Sequence, residues 1–247
     1  MLRKKTHSIM TKIFSSKLNT ILFVVSIFYF INLNYLLKGG LIYDDFSLSI
    51  NHIDFSIFKK IKINCLLYFN TRPIGGIYVA LISEFKANYF GYIFLNISLW
   101  LATGIIIYLS IYKHFNQRSS LIFLFVFLFP SFASTPFFSP VTQSLGVFSL
   151  FLWSISIFFS VEKKIYLSVF FFILSLLTYE YTVVLFLINI ILYLNQNKQK
   201  IENLQKIKIT FIKVFSLFAI GICMIIIFQF LIADVTNNSD PLKYAIR

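Results

Sequence analysis

Two adjacent carboxylates stand beside long apolar runs in Tyr43-Asp44-Asp45-Phe46, and an arginine held by the residue after it follows in Thr71-Arg72-Pro73. The chain has nine Asp and Glu among 247 residues and is 58% hydrophobic, so two acids in succession call for a task. A carboxylate that accepts the proton of an attacking hydroxyl is a general base, and its neighbour would orient it or hold a metal ion. Adjacent side chains do not point the same way on a regular element, so only one of the pair faces a given pocket closely. The structural alternative is that Asp45 caps a short helix beginning at Phe46 while Asp44 is solvated.

Arg72 precedes a proline, which biases it toward extended backbone and aims its guanidinium away from the helix that follows. Its planar fork suits phosphate oxygens. The competing roles are contact with lipid headgroups or pairing with an external Asp. Glu180 is the only acid in the apolar 165–194 block, and a carboxylate near hydrocarbon is costly unless it faces a cavity, a partner or the surface. Its neighbours Tyr179 and Tyr181 read as interfacial aromatics. Gln143, Asn96, Asn189 and Gln229 are polar residues inside apolar runs, suited to hydrogen bonds between helices. Gln143 alone, at the outer start of its run, is placed for substrate contact. His7, His52 and His114 are scattered and show no metal-ligand spacing with Cys65 or Cys223. A divalent cation, if one is used, falls to Asp44 or Asp45. The two cysteines, one in an external loop and one in a span, are not expected to meet.

A mean hydropathy of +0.82 and repeated apolar runs near twenty residues define an all-α polytopic membrane protein. No polar stretch is long enough for a separate soluble core, so a single transmembrane domain over 1–247 is expected. The net charge of +13 sits in short segments between runs, where it encodes orientation in a bilayer rather than an affinity for nucleic acid. Residues 1–19 form a basic tail, and Arg3, Lys4 and Lys5 precede an apolar run with no cleavage site, which reads as a signal anchor. About seven spans follow, at 20–37, 92–112, 119–134, 140–160, 164–178, 180–194 and 207–232, the last six making a bundle over 92–232. The segment 39–91 is the external loop and carries two interfacial helices. In the first, Phe55, Phe58, Ile61, Cys65 and Phe69 recur at helical spacing while Lys59, Lys60 and Lys62 reach toward water. In the second, over 73–86, Ile74, Ile77, Tyr78, Leu81, Ile82 and Phe85 make one stripe, and Gly75, Gly76, Ser83 and Glu84 take the other side. Pro73 is its first residue.

With the N-terminus inside, the inner segments hold fourteen basic residues against two acids, and the outer ones eight against six, with Glu180 apart. The bias favours a cytoplasmic N-terminus. Asp44, Asp45, Arg72, the prolines at 130–140 and the Tyr179-Glu180-Tyr181 hairpin then share the outer face.

That set resembles the GT-C superfamily of integral-membrane glycosyltransferases, and is similar in particular to bacterial O-antigen glucosyltransferases of the GtrII-like kind. The resemblance rests on Tyr43-Asp44-Asp45-Phe46, two juxtamembrane helices, Arg72-Pro73-Ile74, Asn96, the prolines at 130–140 and Thr178-Tyr179-Glu180, over roughly residues 18–195. It implies a multi-pass enzyme of the inner (plasma) membrane that modifies polysaccharides of the cell envelope. The reaction would be an inverting transfer of one sugar from a polyprenyl-phosphate donor to a surface glycan or lipid-linked acceptor. Asp44 or Asp45 would then be the base or the metal ligand, with Arg72 on the phosphate and Glu180 and Gln143 as further substrate contacts. Members of the family usually continue with more spans, so a truncated, non-catalytic reading frame is one alternative. A transporter or flippase of a lipid-linked saccharide is the other. The expected partners are membrane lipids, the donor and the acceptor, and no nucleic acid.

The orientation predicts that a membrane-impermeant thiol reagent labels Cys65 in intact cells and spares a cysteine placed at Lys198. The reverse pattern would invert the topology.

Overall fold

The computed structural model describes residues 17–32, 55–68, 72–86, 88–112, 117–128, 144–198 and 204–237, and among these it contains helices and no strand. The Asp44–Asp45 pair, Gln143, the 130–140 prolines and the three histidines lie outside the described residues. In chain order, α1 is Lys17–Ile31 and α2 is Ile57–Ile63, which continues as a π-helical turn over Asn64–Tyr68. Helix α3 (Pro73–Ile82) ends in a 3-10 turn at Ser83–Phe85 and is followed by α4 (Tyr89–Ile111) and α5 (Gln117–Leu128). Then come α6 (Ser144–Val161) and α7 (Ile165–Leu176). A 3-10 helix (Glu180–Leu185) leads into α8 (Phe186–Lys198), and α9 is Leu204–Asn237.

Among the described residues three apolar stretches are long enough to cross a membrane: Tyr89–Ile111, Ser144–Val161 and Lys208–Ile227 within α9. Asn19–Ile31, Pro73–Phe85, Ile165–Leu176 and Glu180–Asn195 are apolar but shorter. The expected runs at 164–178 and 180–194 are separate elements, broken where Tyr179 turns extended at φ −159° and ψ 124°.

Side chains are sorted as a lipid solvent requires. Phe30, Ile122, Val184, Ile191 and Met224 are all exposed, whereas Ser149, Ser154, Ser156, Ser160, Ser168 and Ser175 are fully buried. Hydrocarbon gives large apolar residues no reason to leave the surface, while small residues let helix backbones come close and hydroxyls bond across the gap.

Helix α6 is the hub, packing on α4, α7 and α8. Between α6, α7 and α8 runs a polar seam. The Ser156 hydroxyl donates to the Ser168 carbonyl at 2.7 Å, and Ser149 to the Ser175 carbonyl at 2.9 Å. Asn189 on α8 closes one end: its amide donates to Ser156 Oγ at 2.6 Å, and its carbonyl accepts from the Trp153 indole at 2.9 Å. Asn189 therefore makes the interhelical bonds its position in an apolar run implied. Such bonds average about 0.6 kcal/mol each and reach about 1.7, so the seam as a whole fixes the register of three helices. On the other side of the hub, Gly104 admits α5: a Cβ there would meet Leu128 Cδ2 at 2.8 Å.

Helix α3 packs by its glycine side. Gly75, Gly76, Val79, Ala80 and Ser83 are buried with Tyr78 and Ile82, whereas Ile77, Leu81 and Phe85 face outward. A Cβ on Gly76 would lie 3.0 Å from Cys65 Sγ and 3.1 Å from the Cys65 backbone. That contact seats α3 on the π-helical turn.

Lys60 departs from its expected place. It does not reach water with Lys59 and Lys62: its side chain is 1% exposed, and Nζ lies 2.6 Å from Glu84 Oε1. The carboxylate at the end of α3 supplies the charge that a lysine turned inward requires, since a buried ammonium without a partner is strongly unfavourable. The pair ties α2 to the far end of α3.

Among the described residues two other than glycine take left-handed backbone, Lys86 (φ 53°) and Lys163 (φ 63°). At Lys163 the chain leaves α6. The Lys163 amide donates to Ser160 O at 3.2 Å and the Lys164 amide to Phe159 O at 2.9 Å, the paired bonds that usually place glycine at this position.

Cys65 and Cys223 are both free. Cys65 Sγ lies 3.4 Å from the Pro73 carbonyl, and burial pushes the thiol's pKa up. The thiolate is the reactive form, so the exposed Lys59, replaced by cysteine, gives a second reporter of sidedness beside Cys65.

Candidate functional site

Pro73 starts α3 as its first residue, making Arg72 the residue before the helix, at φ −133° and ψ 62°. The proline ring keeps Arg72 out of helical backbone and turns its side chain away from the axis of α3. The first turn of α3 lies against the break between α7 and the 3-10 helix. The Gly75 amide donates to the Leu177 carbonyl at 3.4 Å. A Cβ at Gly75 would stand 2.9 Å from the Thr178 carbonyl oxygen and 3.1 Å from Leu145 Cδ2. Only a residue without a side chain brings these segments so close.

Across this contact Arg72 meets Glu180, 108 positions away in sequence. Nη2 donates to Oε1 at 2.7 Å, and Nε stands 2.6 Å from Oε2. The Nε contact is one of charge, off the hydrogen-bond line, because Nε makes no well-aligned bond among the described residues. The guanidinium carbon lies 4.4 Å from the Tyr179 ring centre, a cation–π contact. Two side chains thus hold one planar group, Glu180 by an edge and Tyr179 by a face. No contact among the described residues occupies Nη1.

The hairpin that carries Tyr179 and Glu180 is itself pinned. The Tyr181 hydroxyl donates to the Gly146 carbonyl at 2.6 Å, in the first turn of α6. Ser149 Oγ donates to the Tyr179 carbonyl at 3.2 Å, and Ser175 Oγ lies 2.9 Å from Thr182 Oγ1. Beneath the site, the Tyr78 ring stacks on Phe148 at 4.2 Å and 7°. Helices α3, α6, α7 and the 3-10 helix therefore meet at one end of the bundle, with the guanidinium among them.

Exposure decides what the ion pair does. The side chains of Arg72 and Glu180 are 28% and 48% exposed, so water screens their attraction, and a pair of this kind contributes about 1 kcal/mol or less. That is enough to orient a side chain and too little to hold two helices together. The close approach at Gly75 and the hydroxyl bonds provide the cohesion. The arrangement can present a fixed, reachable guanidinium to an anion with oxygen ligands.

Of the residues singled out from the sequence, Arg72 and Glu180 come together, and among the described residues Glu180 is the carboxylate that pairs with Arg72. Asp44, Asp45 and Gln143 lie outside the described residues, Gln143 one position before Ser144 of α6. Asn96 is fully buried in α4. Among the described residues no group of three or more His, Cys, Asp or Glu is placed to hold a metal ion. Tyr179 is more than an interfacial aromatic, since its ring holds the guanidinium, and Gly75 is a packing position rather than the polar side of a helix. The signal for Tyr179 was its place beside the only acid of an apolar block.

No family model, no curated protein and no solved structure matches this chain.

Gly75→Ala tests how the site is built. In an open helix this change stabilises by about 1 kcal/mol. Here the new methyl must push back a backbone carbonyl, so the midpoint of thermal unfolding in detergent should fall. A rise would show that α3 and the 177–180 turn are not in close contact.

Proposed function

We propose that this protein is a membrane glycosyltransferase that moves a sugar from a polyprenyl-phosphate donor to a hydroxyl of a glycan or lipid-linked acceptor at the outer membrane face. The observation that carries the reading is the pairing of Arg72 with Glu180, residues chosen separately from the sequence as substrate contacts and found in one constellation. In this reading Asn19–Ile31, α5, Ile165–Leu176 and Glu180–Asn195 belong to the remaining spans, Pro73–Phe85 lies in the interface, the first external loop carries the acids, and the N-terminus is cytoplasmic.

The chemistry divides among the residues as follows. Asp44 or Asp45 takes the proton from the acceptor hydroxyl as its oxygen attacks the anomeric carbon. The bond from that carbon to the phosphate oxygen breaks, inverting the centre, and the polyprenyl phosphate leaves with the electron pair. Arg72 faces the charge that grows on the phosphate, offering Nη1 while Glu180 and Tyr179 hold its plane. A guanidinium fixed before the reaction loses less freedom on binding than a mobile lysine.

The distribution of charge favours transfer over transport. A flippase carries ionisable groups along the middle of its spans. The spans Tyr89–Ile111 and Ser144–Val161 contain no Asp, Glu, Lys or Arg, and in Lys208–Ile227 the two lysines, Lys208 and Lys213, stand in the first six residues rather than in the middle.

Asp→Asn keeps size and hydrogen-bonding capacity but removes the charge. General-base catalysis contributes about a hundred- to ten-thousand-fold in rate, so Asp44→Asn or Asp45→Asn should nearly abolish transfer from a polyprenyl-phosphate sugar in isolated membranes, at normal protein level. A helix cap predicts otherwise, because Asn caps about as well as Asp. Near-normal transfer by both single variants would end the enzymatic reading.

A further inference from the structure

At the opposite end of α6 and α7, the turn between them, Tyr193 of α8 and the first half of α9 line an open cavity of about 830 Å3. Lys163, Lys164 and Lys213 line it together with Tyr166, Tyr193 and Ile212. None of the three lysines forms an ion pair among the described residues. Glu162, next to them in the chain, does not line the cavity. Lys213 lies inside the membrane-length stretch Lys208–Ile227. A cation there is unfavourable in hydrocarbon unless something answers its charge, and such residues mark sites more often than accidents. Lys163 holds left-handed backbone at a position where glycine would be unstrained, and strain of this kind is retained where the side chain has a use.

We propose that this cavity binds the phosphate headgroup of an anionic phospholipid in the adjacent leaflet, the one the lysine count places on the cytoplasmic side. The three ammonium groups answer the phosphate. The tyrosines sit at headgroup level, where amphipathic rings are favoured. The aliphatic wall of α9 receives the start of an acyl chain. The occupant is a lipid rather than a free anion because the cationic groups border an apolar wall on a helix of membrane-spanning length. It is a lipid rather than an acidic protein segment because phospholipid is present at that depth in any bilayer. The site is independent of the proposed transfer reaction, being at the other end of the bundle from Arg72.

The test is native mass spectrometry of the full chain in neutral detergent, titrated with phosphatidylglycerol or phosphatidylcholine. Wild-type protein should bind phosphatidylglycerol at least tenfold more tightly than phosphatidylcholine. A lysine near a membrane surface strengthens anionic-lipid binding about fivefold, so a variant with Lys163, Lys164 and Lys213 all replaced by Gln should lose most of the preference. Lys62→Gln, which removes one charge from α2 as Lys163→Gly removes one from the cavity, should keep it. Lys163→Gly guards against misfolding: it relieves the left-handed strain, so it should fold at least as well as wild type yet bind phosphatidylglycerol about fivefold more weakly. Wild-type affinity in the triple variant or in Lys163→Gly would overturn the proposal, as would an equal loss in Lys62→Gln. Displacement of the bound lipid by millimolar inorganic phosphate or by a polyglutamate peptide would overturn it too, assigning the cavity to a free anion or an acidic protein segment.

Discussion

Two apolar helix faces gain little by meeting inside hydrocarbon, so a bundle in a membrane must be held by close backbone approach and by polar contacts between helices. Everything at the Arg72 end depends on one such approach, the seating of Gly75 against the Thr178 carbonyl. It sets α3 beside the break after α7, and only then do Arg72, Tyr179 and Glu180 come within reach of one another. The serine seam under them performs the same service for α6, α7 and α8. Its bonds are individually weak, but each ties a hydroxyl on one helix to a neighbour, so the hairpin bearing Glu180 has few alternative positions.

The ion pair is a consequence of this packing and not its cause. An attraction screened by water orients a guanidinium without holding helices together. Lys60 and Glu84 show the contrasting case, a lysine turned fully inward whose only answering charge among the described residues is a half-exposed carboxylate. One pair fastens α2 to the end of α3; the other displays a cation where a ligand can meet it. The two ends of the bundle differ in the same sense. At one end a single arginine is balanced by an acid, and at the other three lysines surround a cavity with no acid among its lining residues.

Much of this was legible in the sequence. The hydropathic runs gave the helical class, the pre-proline position predicted the non-helical backbone of Arg72, and a lone Glu in an apolar block marked the hairpin. In α3 the glycines are inside and Ile77 and Leu81 outside, because close approach rather than apolar burial drives association there. A run of lysines reads as solvated until a partner such as Glu84, twenty-four residues on from Lys60, is seen beside one of them. The serines of α6 were overlooked because a hydroxyl in an apolar run changes hydropathy little and becomes informative only when the helix opposite is known.

A double-mutant cycle on thermal unfolding tests the constellation most directly, comparing Arg72→Ala, Glu180→Ala and the double variant in detergent. If the two side chains meet as described, the cycle should return a coupling of about 0.5–1 kcal/mol, the range for a partly exposed ion pair. Additive effects with no coupling would mean that Arg72 and Glu180 do not pair in the folded protein, and the site built around them would fall with that result.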